Sequence, residues 1–107
     1  MERENNILKK AQELSGLTSS NLSKLVRIQS FSGNEKAVQQ ELSRQLLEAG
    51  VDEVRFDGLG NVIGRIGNGK TILAFDGHVD TVGVGNAANW QFDPFSGEIK
   101  DGFVHGR

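Results

Sequence analysis

At Gly50 the hydrophobic rhythm of this chain changes, and that change bounds the folds open to it. Before it, apolar residues recur every three to four positions: Ile7, Leu8, Ala11 and Leu14; Leu22, Leu25 and Val26; Val38, Leu42, Leu46 and Ala49. That spacing lays each set along one helix face. After it the period falls to two, with Val54 and Phe56 alternating with charged residues, as in a half-exposed strand. Most of the 14 glycines also follow Gly50, so turns should be frequent there. Helices followed by short strands predict an α/β fold, and 107 residues suffice for one domain, 1–107.

Finer punctuation divides the elements. Ser15-Gly16 interrupts the first stripe, and a second helix is expected to begin among Thr18, Ser19 and Ser20, any of which can cap it. One kinked helix and two helices both fit. Ser32 and Glu35 have the S-x-x-E spacing of a capping box, which predicts the start of the third helix. Gly50 is its natural stop. Gly58-Leu59-Gly60 should turn the chain into a second strand, 61–66. Asn68-Gly69 is a two-residue hairpin signal, with Thr71 to Phe75 as a return strand apolar enough to lie inside the sheet. A long irregular loop containing Trp90 and Asp93-Pro94-Phe95 follows Asp80, and Lys100-Asp101-Gly102 marks a final turn before Phe103-Val104.

Composition narrows the function. A net charge of -2, with 12 basic and 14 acidic residues, gives no electrostatic case for nucleic acid. With no cysteine, disulfides, cysteine–zinc sites and thiol catalysis are excluded within this chain. The charged start Met1-Glu2-Arg3-Glu4 does not read as a secretory signal. Apolar runs stay far below the ~20 residues that cross a bilayer. A cytoplasmic location without membrane attachment is the expectation.

The stretch carrying most chemistry is Leu73-Ala74-Phe75-Asp76-Gly77-His78-Val79-Asp80-Thr81. A buried strand ending this way delivers polar side chains to the carboxyl edge of a sheet, where open α/β folds place ligands. His78 can offer a ring nitrogen to a metal, and Asp80 can accept the proton of the other, fixing the tautomer. A lone H-x-D pair is more often an ordinary hydrogen-bonded pair at a strand end. His105 has the weaker claim, and Trp90 and Phe95 are expected to cover a core edge or loop. Gly64-Arg65-Ile66-Gly67-Asn68-Gly69-Lys70-Thr71 matches the phosphate-loop pattern, but that pattern works only when a helix follows the lysine. Gly58, Gly60 and Gly64 miss the dinucleotide spacing by one residue, and no G-x-S-x-G elbow is present.

Several blocks together resemble one family, the co-catalytic zinc hydrolases that include acetylornithine deacetylase, succinyl-diaminopimelate desuccinylase, aminoacylase and glutamate carboxypeptidase. They are Leu25-Val26-Arg27-Ile28-Gln29-Ser30 with Ser32-Gly33-Asn34-Glu35, Gly60-Asn61-Val62-Ile63-Gly64, Gly77-His78-Val79-Asp80-Thr81-Val82, Trp90 with Asp93-Pro94-Phe95-Ser96-Gly97, and Asp101-Gly102-Phe103 leading to Gly106-Arg107. The segment from Val82 through Trp90 looks closest to a branch linked by context to selenium metabolism. The resemblance implies the N-terminal part of a zinc-peptidase catalytic domain, with helices packed on a central mixed β-sheet. It implies that His78 ligates one of two zinc ions (cobalt or another divalent metal being an alternative) and that Asp80 is the catalytic-site carboxylate clamping its imidazole. The bridging aspartate, paired glutamates and remaining ligands of the family have no counterpart before Arg107. The resemblance therefore implies an incomplete site, inactive alone, within a longer amide-hydrolysing protein. For that protein the resemblance implies a small-molecule or peptide substrate with an amide bond, and a homodimer. A phosphate-loop nucleotide binder and a non-catalytic truncated module are the alternatives.

Overall fold

A computed structural model describes residues 1–107. Helix α1 spans Glu2–Glu13, α2 Ser15–Val26 and α3 Lys36–Glu48; strands β1 (Glu53–Phe56) and β2 (Val62–Arg65) follow, then a 3-10 turn at Ala87–Asn89, and strands β3 (Ile99–Lys100) and β4 (Phe103–Val104). Helix α3 packs against α2 and against the β1–β2 hairpin, while β3–β4 packs on α2.

The helical half follows its sequence periodicity. Between α1 and α2 only Leu14 leaves the helix, and hydrogen bonds run across it, from Leu14 N–H to Lys10 C=O and from Thr18 N–H to Leu14 C=O. Thr18 and Ser19 are not caps. They lie inside α2, where their hydroxyls donate to the carbonyls of Leu14 and Ser15, the four-back bond that serine and threonine make within helices. Helix α3 is built from good helix formers with no glycine or proline. It ends as predicted: Gly50 takes φ +81°, its N–H bonds Leu47 C=O, and Val51 N–H bonds Leu46 C=O. That pair of bonds is the Schellman closure, which a glycine satisfies without Cβ strain.

The start of α3 departs from the expected capping box. Glu35 accepts a hydrogen bond from Gly33 N–H at 2.8 Å, and the Ser32 hydroxyl turns away to Asp80. A charged acceptor from a distant segment offers a stronger bond than a neutral N–H, so Ser32 is taken out of the cap.

Gln45 joins the two central helices. Its side chain is buried, donating to Asn21 C=O at 3.1 Å and to Glu41 at 2.9 Å. Arg44 grips the same Glu41 through Nε at 2.8 Å and Nη2 at 2.6 Å. Hydrogen bonds from Arg44, then from Gln45, hold the Glu41 carboxyl down at about 2. A depressed folded-state value stabilises the fold above the unfolded carboxylate range and loses that contribution as pH falls through the folded value. Urea midpoints should therefore fall between about pH 4.5 and pH 2, and Glu41→Gln should flatten that part of the profile.

The sheet is where expectation and structure part. The β1–β2 hairpin forms with Val54 opposite Gly64 and Phe56 opposite Val62. Its turn is held by Asp57, whose carboxylate accepts from the N–H groups of Leu59 and Asn61 and from the Asn61 amide. The second expected hairpin is absent: Thr71 to Phe75 pairs with no strand, and Ile72, Leu73 and Phe75 are exposed. The cause lies just before Asn68-Gly69. Gly67 turns at φ +76°, its N–H bonds the Asp52 carboxylate at 2.6 Å, and its carbonyl accepts from Arg65. The strand end is thereby tied to the entry of β1, and an open cleft of about 790 Å³ separates the 71–75 segment from β2. The expected central mixed sheet is thus replaced by two separate two-stranded antiparallel sheets and one parallel bridge, Phe31–Thr81. The final turn forms as predicted, with Asp101 and Gly102 both at positive φ and Lys100 opposite Phe103.

The core is correspondingly thin. Val38 is the one buried hydrophobic side chain, and the radius of gyration is 16.3 Å, against about 13 Å for a compact domain of this length. Fifty backbone hydrogen bonds fall short of the roughly 70 such a domain makes. Uncovered segments with strong β propensity and no charge template association. Thr71 to Phe75 is such a segment, so the 107-residue chain should self-associate as its concentration rises, and Leu73→Lys should raise the monomer fraction in light scattering. A chain that stays monomeric at every concentration would contradict this.

Candidate functional site

The His78 segment is held by the residues that leave α2. Thr81 N–H donates to Ser30 C=O at 2.8 Å, and the buried Ser30 hydroxyl donates to Val79 C=O at 2.9 Å. Phe31 and Thr81 form the parallel bridge, and Phe31 is braced edge-on by Phe95. These bonds, not an internal strand, place His78 and Asp80.

His78 and Asp80 come together as the spacing suggested. His78 Nδ1 lies 3.1 Å from Asp80 Oδ1 and 2.9 Å from the Asp80 carbonyl oxygen. Both neighbours accept only, so in the neutral ring the proton belongs on Nδ1 and the Nε2 lone pair is left free. The imidazole is 85% exposed, at the mouth of a cavity of about 270 Å³ lined by Leu22, Val26, Ser30, Val38 and Arg107. The ring faces a cleft and not the interior. Asp80 Oδ2 accepts from the Ser32 hydroxyl at 2.5 Å. That bond, with a smaller contribution from His78, holds the Asp80 carboxyl below the usual range.

A metal site needs more than this pair. Zinc takes three or four protein ligands, and no three histidine, aspartate or glutamate side chains here are grouped to hold one ion. The donor chemistry of His78 fits one coordination position. His105 is not a second one: its ring packs edge-on against Phe92 at 4.8 Å. Trp90 and Phe95 serve packing, Trp90 donating its indole N–H to Val84 C=O at 2.7 Å and Phe95 meeting Phe31. The phosphate-loop pattern fails its structural requirement, because no helix follows Lys70.

Ser30 and Ser32 are site residues that local spacing does not reveal, Ser32 reading there as a helix cap. Their alternation just before Gly33 is compatible with a segment running beside another. Nothing local, however, names a partner 48 or 49 residues away.

No family model matches the chain, and no solved structure matches it. Curated sequences do. The chain is 41% identical over 101 residues to a protein of Escherichia coli K12 named "Uncharacterized protein YgeY", covering 94% of this chain and 25% of that protein. It is 35% identical over 85 residues to the succinyl-diaminopimelate desuccinylase of Acinetobacter baylyi and 46% identical over 88 residues to that of Cereibacter sphaeroides, each covering 78% of this chain and 22% and 23% of the relative. The chain spans about a quarter of the length of these relatives. Together these likenesses support kinship with the hydrolase family that contains succinyl-diaminopimelate desuccinylase.

Proposed function

We propose that the protein to which residues 1–107 contribute is a metal-dependent amidohydrolase, a deacylase or peptidase, and that His78 is one of its metal ligands. The observation carrying this reading is the anchored imidazole: Nδ1 is held by two Asp80 acceptors while Nε2 opens on a cleft. The desuccinylase relatives supply the reaction class, cleavage of an amide between an acyl group and an amine. A divalent ion such as zinc, when bound, supplies a Lewis acid for the amide carbonyl.

The chain's own residues do the following. Asp80 keeps the Nδ1 proton in place, so His78 does not switch to the tautomer that would block Nε2. The negative charge of Asp80 raises the electron density that the ring can share. Leu22, Val26 and Val38 give the cleft beside the imidazole an apolar wall. On this reading the other ligands and a proton-shuttling base come from the part of the relatives' length that residues 1–107 do not span.

A chain extended to the length of the relatives should release amine from an N-succinylated amino acid and contain zinc or cobalt by elemental analysis. Asp80→Asn keeps an acceptor but removes the charge, and should cost about 10- to 100-fold in metal affinity or activity. A metal-free extended chain that hydrolyses no acylated amine would sink the proposal.

A further inference from the structure

We infer that Ser32 is a positioning residue for His78, its hydroxyl holding the Asp80 carboxylate against Nδ1 and so favouring the tautomer with Nε2 free. The functional meaning rests on the reading of His78 as a metal ligand; the relay itself rests on geometry alone. Ser32 Oγ donates to Asp80 Oδ2 at 2.5 Å, and the other oxygen, Oδ1, faces His78 Nδ1 at 3.1 Å. A hydroxyl donating to an ionised carboxylate at this distance is among the stronger hydrogen bonds proteins make.

Asp80 needs such a lock. Its side chain is 40% exposed, and the terminal torsion of an aspartate is broad and nearly two-fold. Solvent can therefore compete for either oxygen. Ser32 cannot drift with it, because its own segment is pinned on both sides. Upstream, Ser30 holds Val79 and Thr81. Downstream, Gly33 turns at φ +86° with its N–H on Glu35. The three residues form a directed chain, Ser32 O–H to Asp80 to Nδ1–H of His78, and the Asp80 carbonyl oxygen, 2.9 Å from the same Nδ1, is a second acceptor that does not depend on Ser32.

A mere tether between loops would predict something different. It would loosen on loss of the hydroxyl without selecting between ring tautomers. Nitrogen-15 NMR of the His78 ring in the 107-residue chain, at a pH where the ring is neutral, separates the two. The wild-type ring should show a protonated Nδ1 and a bare Nε2; a ring protonated on Nε2 overturns the inference at once. In Ser32→Ala the Asp80 carbonyl remains as an acceptor, so the Nδ1–H population should drop measurably without vanishing, toward the Nε2–H preference of free histidine. Ser32→Thr, which keeps the hydroxyl, should match wild type, whereas Ser32→Val, nearly the same shape, should match Ser32→Ala. An unchanged tautomer in Ser32→Val overturns the inference. So does a Ser30→Ala chain that loses Nδ1–H as fully as Ser32→Ala, since general loosening would then suffice. None of these readouts uses metal or catalysis: failure of the variant arms leaves the hydrolase reading standing, a wild-type ring protonated on Nε2 removes the support of both, and loss of the hydrolase reading alone leaves the relay intact.

Discussion

His78→Ala, in a chain of the relatives' length, should abolish most metal binding and most amide hydrolysis. The loss should exceed the roughly 10- to 100-fold that follows removal of an outer-shell partner, because on the proposed assignment the variant lacks the coordinating atom itself. The structure makes the variant a clean one. The ring is largely exposed and its contacts run to Asp80 alone among side chains, so alanine should not disturb the Ser30–Thr81 anchor or the helices. Circular dichroism should overlay wild type while elemental analysis shows the metal missing. Normal metal content in that variant would refute the ligand assignment.

A large loss of stability should come from Gly97→Ala. Gly97 is buried, sits at φ +60°, and a Cβ there would lie 2.6 Å from the Ser23 carbonyl oxygen and 2.8 Å from its hydroxyl. Left-handed backbone costs a non-glycine residue about 1–2 kcal/mol, and overpacking adds roughly 1–3 kcal/mol. Substitution also displaces the bond from the Ser23 hydroxyl to Gly97 C=O, 2.6 Å long, and its neighbour from Arg27 Nε to Ser96 C=O, 3.0 Å. Those two bonds tie the approach to β3 onto α2. At concentrations low enough to suppress association, the thermal midpoint should fall by about 10 °C or more. Gly58→Ala, with open space around its Cβ and no positive φ, is the control and should stay near wild type. A Gly97→Ala midpoint equal to that of Gly58→Ala would show that the α2 contact does not support the fold.

Much of this was legible in the residues, for reasons that are local. Val38, Leu42 and Leu46 mark α3, and Gly50 stops it, because helix bonds and the left-handed closure involve neighbours within six positions. Asp101-Gly102 predicts its turn in the same way. The Asn68-Gly69 hairpin did not follow, although its local signal is as strong. Asp52 and Arg65 bind Gly67 first, and a competing tertiary bond leaves no mark on the dipeptide. Likewise the Ser32 to Glu35 spacing suggested a cap, yet a carboxylate 48 residues away claimed the hydroxyl.

His78 and Asp80 needed no tertiary information to be paired, since two residues of backbone already bring Nδ1 within reach of the carboxylate. Which way that pair faces was a different matter. The ring opens on a cleft because Ser30 and Thr81 dock one segment beside another, and a hydroxyl from that docked segment meets the carboxylate that faces the ring. Short-range spacing determines which groups can meet, for the chain permits few distances over two to four residues. Long-range docking decides their orientation, for only a surface assembled from distant segments can supply the third partner.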